Sequence, residues 1–268
     1  MLLEGKTVVI LGASAKGGIG WVTAKNCADE GANVVVSARN QAKLSELANQ
    51  VQGLAVRCDA TDPESIAALF AQAHQHFGSV DAALYTPGQA WSKMIADIEP
   101  NDLREAANLH YHGAVYFTQQ ATRRMVNGGA ITLRSAISAQ HYYPGTAAYA
   151  AAKISVEHFA RYAAIEYGPR KIRVNTVRPT STRTPMIEGA LQLPGLEAAA
   201  TREIPLGRIG EPEDVAQTVA WLSSNRAAFI TGATIPVDGG NHLLRMPLAD
   251  ELPGPAELEA SYTDSSGD

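Results

Sequence analysis

Short, unbroken apolar runs alternate with amphipathic helical stretches along nearly the whole of this sequence, and no other feature limits its fold as much. Residues 7–11, 34–37, 54–57, 81–85, 130–134, 173–177 and 234–237 read as strands. Helical patterns cover about 20–30, 41–50, 63–77, 101–126, 147–167 and 212–223. Strands that are apolar on both faces belong to a parallel sheet covered on both sides. Repeated β-α units with right-handed crossovers then give an α/β fold, a doubly wound parallel sheet with helices on both faces. No linker divides the pattern, and no repeat recurs at solenoid spacing. Residues 1–245 are therefore expected to form one domain, with 180–205 as a looser segment inside it. Residues 246–268 are acidic and Pro-rich, and they are expected to be a mobile tail or an arm over a neighbouring subunit.

Bulk properties exclude several function classes. Hydrophobic residues make up 46% of the 268, enough for a core of this kind. The net charge is −5 and there is no basic cluster with interleaved aromatics, so no nucleic-acid partner is expected. No run approaches the roughly 18 apolar residues of a membrane span. The N-terminus is too short in apolar residues and too acidic for a signal peptide, which makes the cytoplasm the expected compartment. Cys27 and Cys58 lack metal-ligand spacing and read as small buried hydrophobes; no metal is expected.

The turn after the first strand runs Leu11-Gly12-Ala13-Ser14-Ala15-Lys16-Gly17-Gly18-Ile19-Gly20 and opens the first helix. Glycines there admit a pyrophosphate, and a helix N-terminus favours the anion. Gly12, Ser14, Lys16, Gly18 and Ile19 are the candidate contacts. An acid for ribose hydroxyls is absent after the second strand, where Arg39 stands instead. A guanidinium suits a 2′-phosphate, and Lys16 adds a second charge, so the expected cofactor is NADP(H). Asp59, at the end of the third strand, is suited to the adenine amino group or to capping the next helix.

Tyr149 and Lys153 lie one helical turn apart in Tyr149-Ala-Ala-Ala-Lys153. An ammonium beside a phenol favours the phenolate and lowers its pKa. Such a phenol passes a proton to or from an alcohol or carbonyl oxygen.

Together these residues resemble the short-chain dehydrogenase/reductase family, in its single-domain, Rossmann-fold, ketoreductase-like branch. The likeness covers about residues 3–243. It is most specific at Tyr149–Lys153, in Ile172-Arg-Val-Asn-Thr-Val-Arg-Pro179, in Pro205-Leu-Gly-Arg208, and in Thr231-Gly232 with Val237-Asp-Gly-Gly240. It implies hydride transfer between NADP(H) and a carbonyl or secondary alcohol, with Tyr149 as acid/base and Lys153 on the nicotinamide ribose. It implies a serine that holds the substrate oxygen, and a homo-tetramer or dimer. Gly88, Pro179, Thr182 and Thr184 become further cofactor candidates, and residues 186–204 a substrate lid.

Several positions depart from the family. Five residues separate Gly12 from Gly18 where three are usual. That spacing is similar to the enoyl reductases, but those carry the lysine further from the tyrosine. The usual Asn-Asn-Ala-Gly is Tyr85-Thr86-Pro87-Gly88. The serine thirteen residues before the tyrosine is Ala136; Ser135 is the favoured substitute and Ser138 the other candidate. His110 stands where an asparagine usually supports a proton relay. Imidazole both donates and accepts, so His110 is either a replacement, titrating near neutrality, or a structural histidine. These departures leave an altered, dinucleotide-sensing protein as the alternative, beside an enoyl reductase.

Overall fold

The computed structural model describes residues 1–89, 92–248 and 251. Its centre is a seven-stranded parallel sheet in the order β3-β2-β1-β4-β5-β6-β7. The strands are β1 (Thr7–Leu11), β2 (Asn33–Ala38), β3 (Leu54–Arg57), β4 (Ala82–Tyr85), β5 (Gly129–Arg134), β6 (Ile172–Pro179) and β7 (Thr234–Val237). Alternate side chains of one strand serve opposite layers, as the pleat requires. Val9 and Leu11 of β1 join Phe70, Phe117 and Val156, contributed by α3 (Pro63–Phe77), α5 (Gly113–Arg124) and α6 (Ala147–Tyr167). Val8 and Ile10 join Trp21, Leu44 and Val219, from α1 (Ile19–Asp29), α2 (Gln41–Val51) and α9 (Pro212–Ser223). The doubly wound expectation therefore holds. The chain winds outward from β1 in both directions, which leaves a crevice above the carboxyl ends of β1 and β4.

Two differences from the sequence reading concern the site. The expected helix over 101–126 is α4 (Pro100–Ala106), a π-helical stretch (Ala107–His112) and α5. A wider turn keeps the apolar spacing nearly intact while it shifts the backbone, and such bulges collect at functional sites. The segment 180–205 contains two short helices, α7 (Pro185–Leu191) and α8 (Leu196–Arg202), split near Gly195 at φ 82°. The expected tail lies outside the described residues except for 246–248 and Glu251, whose carboxylate pairs with Arg245 at 2.9 Å. Among the described residues no helix is long and apolar enough to cross a membrane.

Candidate active site

A cleft of about 1000 Å³ opens at the carboxyl edge of the sheet. Gly12, Ser14, Lys16, Gly18 and Ile19 form one wall. Gly12 has φ +101°, and a Cβ there would lie 2.7 Å from the Pro87 nitrogen. A Cβ on Gly20 would overlap the Gly12 carbonyl. Only glycine lets this turn fold so closely onto the loop after β4. Gly18 is the N-cap of α1 and offers no side-chain cap, and the first turn holds no acid. The leading amides of α1 are thus open to an anion.

Arg39, Asp59, Gly88, Thr184, Pro185 and Met186 line the same cleft. Arg39 is exposed at the rim. Lys16 pairs with Glu46 at 3.0 Å, with both side chains largely in solvent. Asp59 accepts from the amide and hydroxyl of Thr61 at 2.9 and 2.7 Å. Burial pushes the Asp59 carboxyl up, but those bonds and the charges of Arg39 and Arg57 outweigh it and leave it below its ordinary value. The cap of α3 is Asp62, not Asp59. Pro179 ends β6 in a buried position, and the buried Thr182 hydroxyl donates to the Thr180 carbonyl at 2.8 Å.

Beside this cleft, α6 brings Tyr149 and Lys153 against the π-helical stretch. The His110 ring meets the Tyr149 ring edge to face, with centroids 5.0 Å apart. Lys153 Nζ lies 5.6 Å from the Tyr149 ring centroid and donates to the Arg134 carbonyl at 3.0 Å. His110 is fully buried, and its Nε2 lies 3.2 Å from the Gln89 carbonyl. A carbonyl only accepts, so Nε2 carries the proton and Nδ1 is the acceptor nitrogen of a neutral ring. Burial, then the charges of Lys153 and Arg134, hold His110 well below the usual histidine range. The expected titration near neutrality is therefore corrected: this imidazole stays neutral there.

The tuning of Tyr149 is corrected as well. Burial raises its pKa, and the charge that opposes the rise is Arg134. Lys153 is itself almost wholly buried, and desolvation followed by the charge of Arg134 holds it well below the usual lysine range.

The serines divide according to the strand pleat. Ile131 and Leu133 face the α5–α6 layer, and Ser135 continues that parity past the end of β5. Its hydroxyl is buried and donates to Glu157 Oε1 at 2.6 Å. Glu157 also receives Arg178, Nε at 2.8 Å and Nη2 at 2.6 Å. Arg134 has the opposite parity and reaches the cleft. The Ser138 hydroxyl is buried with no hydrogen-bond partner among the described residues.

A family model described as enoyl-(acyl carrier protein) reductase matches residues 12–242. The chain belongs to the short-chain dehydrogenase/reductase family. It is 33% identical to the 3-oxoacyl-[acyl-carrier-protein] reductase FabG of Thermotoga maritima, covering 90% of this chain and 99% of that protein. It is 34% identical to an L-rhamnose 1-dehydrogenase (NAD(P)(+)) of Azotobacter vinelandii, covering 90% and 98%. A crystal structure of a putative short-chain alcohol dehydrogenase from Sinorhizobium meliloti aligns with TM-score 0.85 at 30% identity, covering 90% of this chain and 98% of that one. Such relatives are oxidoreductases, and the short-chain dehydrogenase/reductase family uses a nicotinamide cofactor.

Against the family pattern, Ala136 leaves the usual serine position without a hydroxyl. The favoured substitute, Ser135, spends its hydroxyl on Glu157 and packs on the α6 side. The sequence reading missed Arg134. Its signal was a lone cation at the end of an apolar strand, two residues before Ala136. Gly88, kept from the family pattern, abuts this residue: a Cβ there would overlap Arg134 Nη2.

Proposed function

We propose that this protein transfers a hydride between NADP(H) and a carbonyl or secondary alcohol, with Tyr149 as general acid/base. The observation that carries this reading is the packing of Tyr149 between His110 and Lys153, beside a cleft that opens onto the glycine turn. The residues fit a dinucleotide. The uncapped amides of α1 and the Gly12–Gly20 contact form a cradle that a Cβ would fill. Gly12, Ser14, Gly18 and Ile19 would hold the pyrophosphate there. Arg39 and Lys16 would take a 2′-phosphate, which favours NADP(H) over NAD(H). Asp59 would meet the adenine, with Gly88 on the adenosine side and Lys153, Pro179, Thr182 and Thr184 toward the nicotinamide end. When bound, the nicotinamide supplies or takes the hydride.

The protein's own residues then manage a proton and an oxygen. Tyr149 donates its hydroxyl proton to the substrate oxygen in reduction and accepts it back in oxidation. Lys153, one helical turn from Tyr149 with its Nζ 5.6 Å from the ring centroid, would steady the phenolate and hold the nicotinamide ribose. Neutral His110, with Nδ1 as acceptor, is placed to pass a proton onward. Ser138 is the better candidate than Ser135 to hold the substrate oxygen, because its buried hydroxyl lacks a partner. Residues 186–204 serve as a substrate lid, supported by Met186 at the cleft wall. Exposed Ile154, Tyr162 and Ile165 on α6 support a homo-oligomer, and the compartment proposed is the cytoplasm.

A dinucleotide sensor is the second reading, favoured by Ala136. An enoyl reductase is the third, favoured by the long glycine turn. NADPH consumption with ketones, β-ketoacyl thioesters and enoyl thioesters separates them. Turnover of a ketone or ketoacyl thioester supports the proposal. NADPH binding without turnover of any would replace it with the sensor, and turnover confined to enoyl thioesters with the enoyl reductase.

A further inference from the structure

We propose that Arg134 is a specificity-determining residue that holds a carboxylate of the substrate beside Tyr149. The inference rests on the hydride-transfer reading and names the substrate class of that site as oxo acids and their hydroxy acids. Three observations support it.

The first is position. Arg134 ends β5, lines the cleft, and passes its carbonyl to Lys153. Its guanidinium rests on Gly88, where any side chain would displace it.

The second is an open donor. Nη2 makes one long bond, 3.5 Å, to the Pro87 carbonyl, and Nε is buried with no partner among the described residues. A buried N–H without an acceptor is costly, and a guanidinium cannot shed its charge to avoid the cost. Its planar edge matches the two oxygens of a carboxylate.

The third is a charge imbalance. Arg134 and Lys153 share one locus, and among the described residues neither is ion-paired with a carboxylate. The buried Glu157 is taken by Arg178 and Ser135. Asp59 is engaged by Thr61 and Glu105 by Asn101. A half-buried guanidinium whose Nε is buried without a carboxylate beside it is costly, so the site suits an anion.

The anion has two possible sources, substrate and cofactor phosphate. The glycine turn, Lys16 and Arg39 already serve phosphates at the other end of the cleft, which favours the substrate. Calorimetry would measure binding of short 2-oxo and 3-oxo acids and their methyl esters to the NADPH-loaded enzyme, wild type and Arg134→Gln, with Arg134→Lys as a second variant. Turnover of each acid–ester pair would be read alongside, with NADPH affinity followed by fluorescence.

In the wild type an acid is expected to bind more tightly than its ester. The acid-to-ester ratio should fall about 100-fold in Arg134→Gln and less in Arg134→Lys. A purely structural role would lower both members of a pair together and leave the ratio unmoved, which would overturn the proposal. So would esters binding as well as acids in the wild type, or loss confined to NADPH affinity, which would assign the anion to the cofactor. Acid-selective binding without turnover would sustain Arg134 while sinking the hydride-transfer reading.

Discussion

Ser135 Oγ donates to Glu157 Oε1 across 2.6 Å, and both residues are buried. That bond, together with the Arg178–Glu157 ion pair at 2.6 Å, ties the end of β5 to α6 and β6. The Glu157 side chain is 0% exposed and that of Arg178 12%. Ser135→Ala is expected to lower stability by about 1.5–3 kcal/mol, the range for a hydrogen bond to a charged group. Glu157→Gln is expected to cost more, about 3–5 kcal/mol, because it strands a buried guanidinium. Urea unfolding of both variants checks the order. Ser135→Ala should retain most of its kcat.

Ser138→Ala is expected to have the opposite profile. Its hydroxyl has no partner among the described residues, so its loss should scarcely move the melting temperature. Loss of one donor to the substrate oxygen should lower kcat by about 10²-fold. Steady-state kinetics of the two serine variants side by side decides which one serves the reaction.

His110 predicts a pH dependence of stability. Its pKa in the folded protein is held well below the ordinary value near 6.5 that it regains on unfolding. The unfolded state therefore binds the extra proton first, so the histidine destabilises the fold as pH falls below about 6.5, until the folded pKa is passed. Above that value the effect is absent. Melting temperatures of wild type and His110→Asn from pH 5 to 7.5 should diverge only on the acid side. Across neutral pH the kcat profile should carry no histidine step.

Arg39→Ala tests the cofactor preference. Removal of a charged donor from a phosphate should weaken NADPH binding by about 10–100-fold and leave NADH binding little changed. Fluorescence titration with both nucleotides measures the ratio.

The fold was largely legible in the sequence because element ends carry their own chemistry. Residues 63–77 read correctly since Asp62 caps the helix, Pro63 opens it, and Gly78 closes it at φ 78°. Residues 147–167 and 212–223 were equally clear from their apolar spacing. The π-helical stretch at 107–112 was not legible, because one extra residue per turn scarcely disturbs that spacing. α7 and α8 were missed because each is short and Gly195 interrupts the pattern between them.

The site was legible in part. The glycine turn lines the cleft, and Tyr149 and Lys153 stand one turn apart on α6 as their spacing implied. Ser135 was misplaced because the reading took the strand end as the fixed point and ignored the pleat. Period-two alternation sends Arg134 and Ser135 to opposite faces. The pKa of Lys153 was not legible at all, because burial and a neighbouring cation distant in sequence decide it.

The central claim is that Tyr149 moves the proton. Tyr149→Phe removes one hydroxyl and keeps the ring that packs on His110. With an accepted carbonyl substrate, kcat should fall by about 10²–10⁴-fold while NADPH affinity stays within a few-fold of wild type. A Tyr149→Phe enzyme that turned over at the wild-type rate with unchanged NADPH affinity would contradict the account.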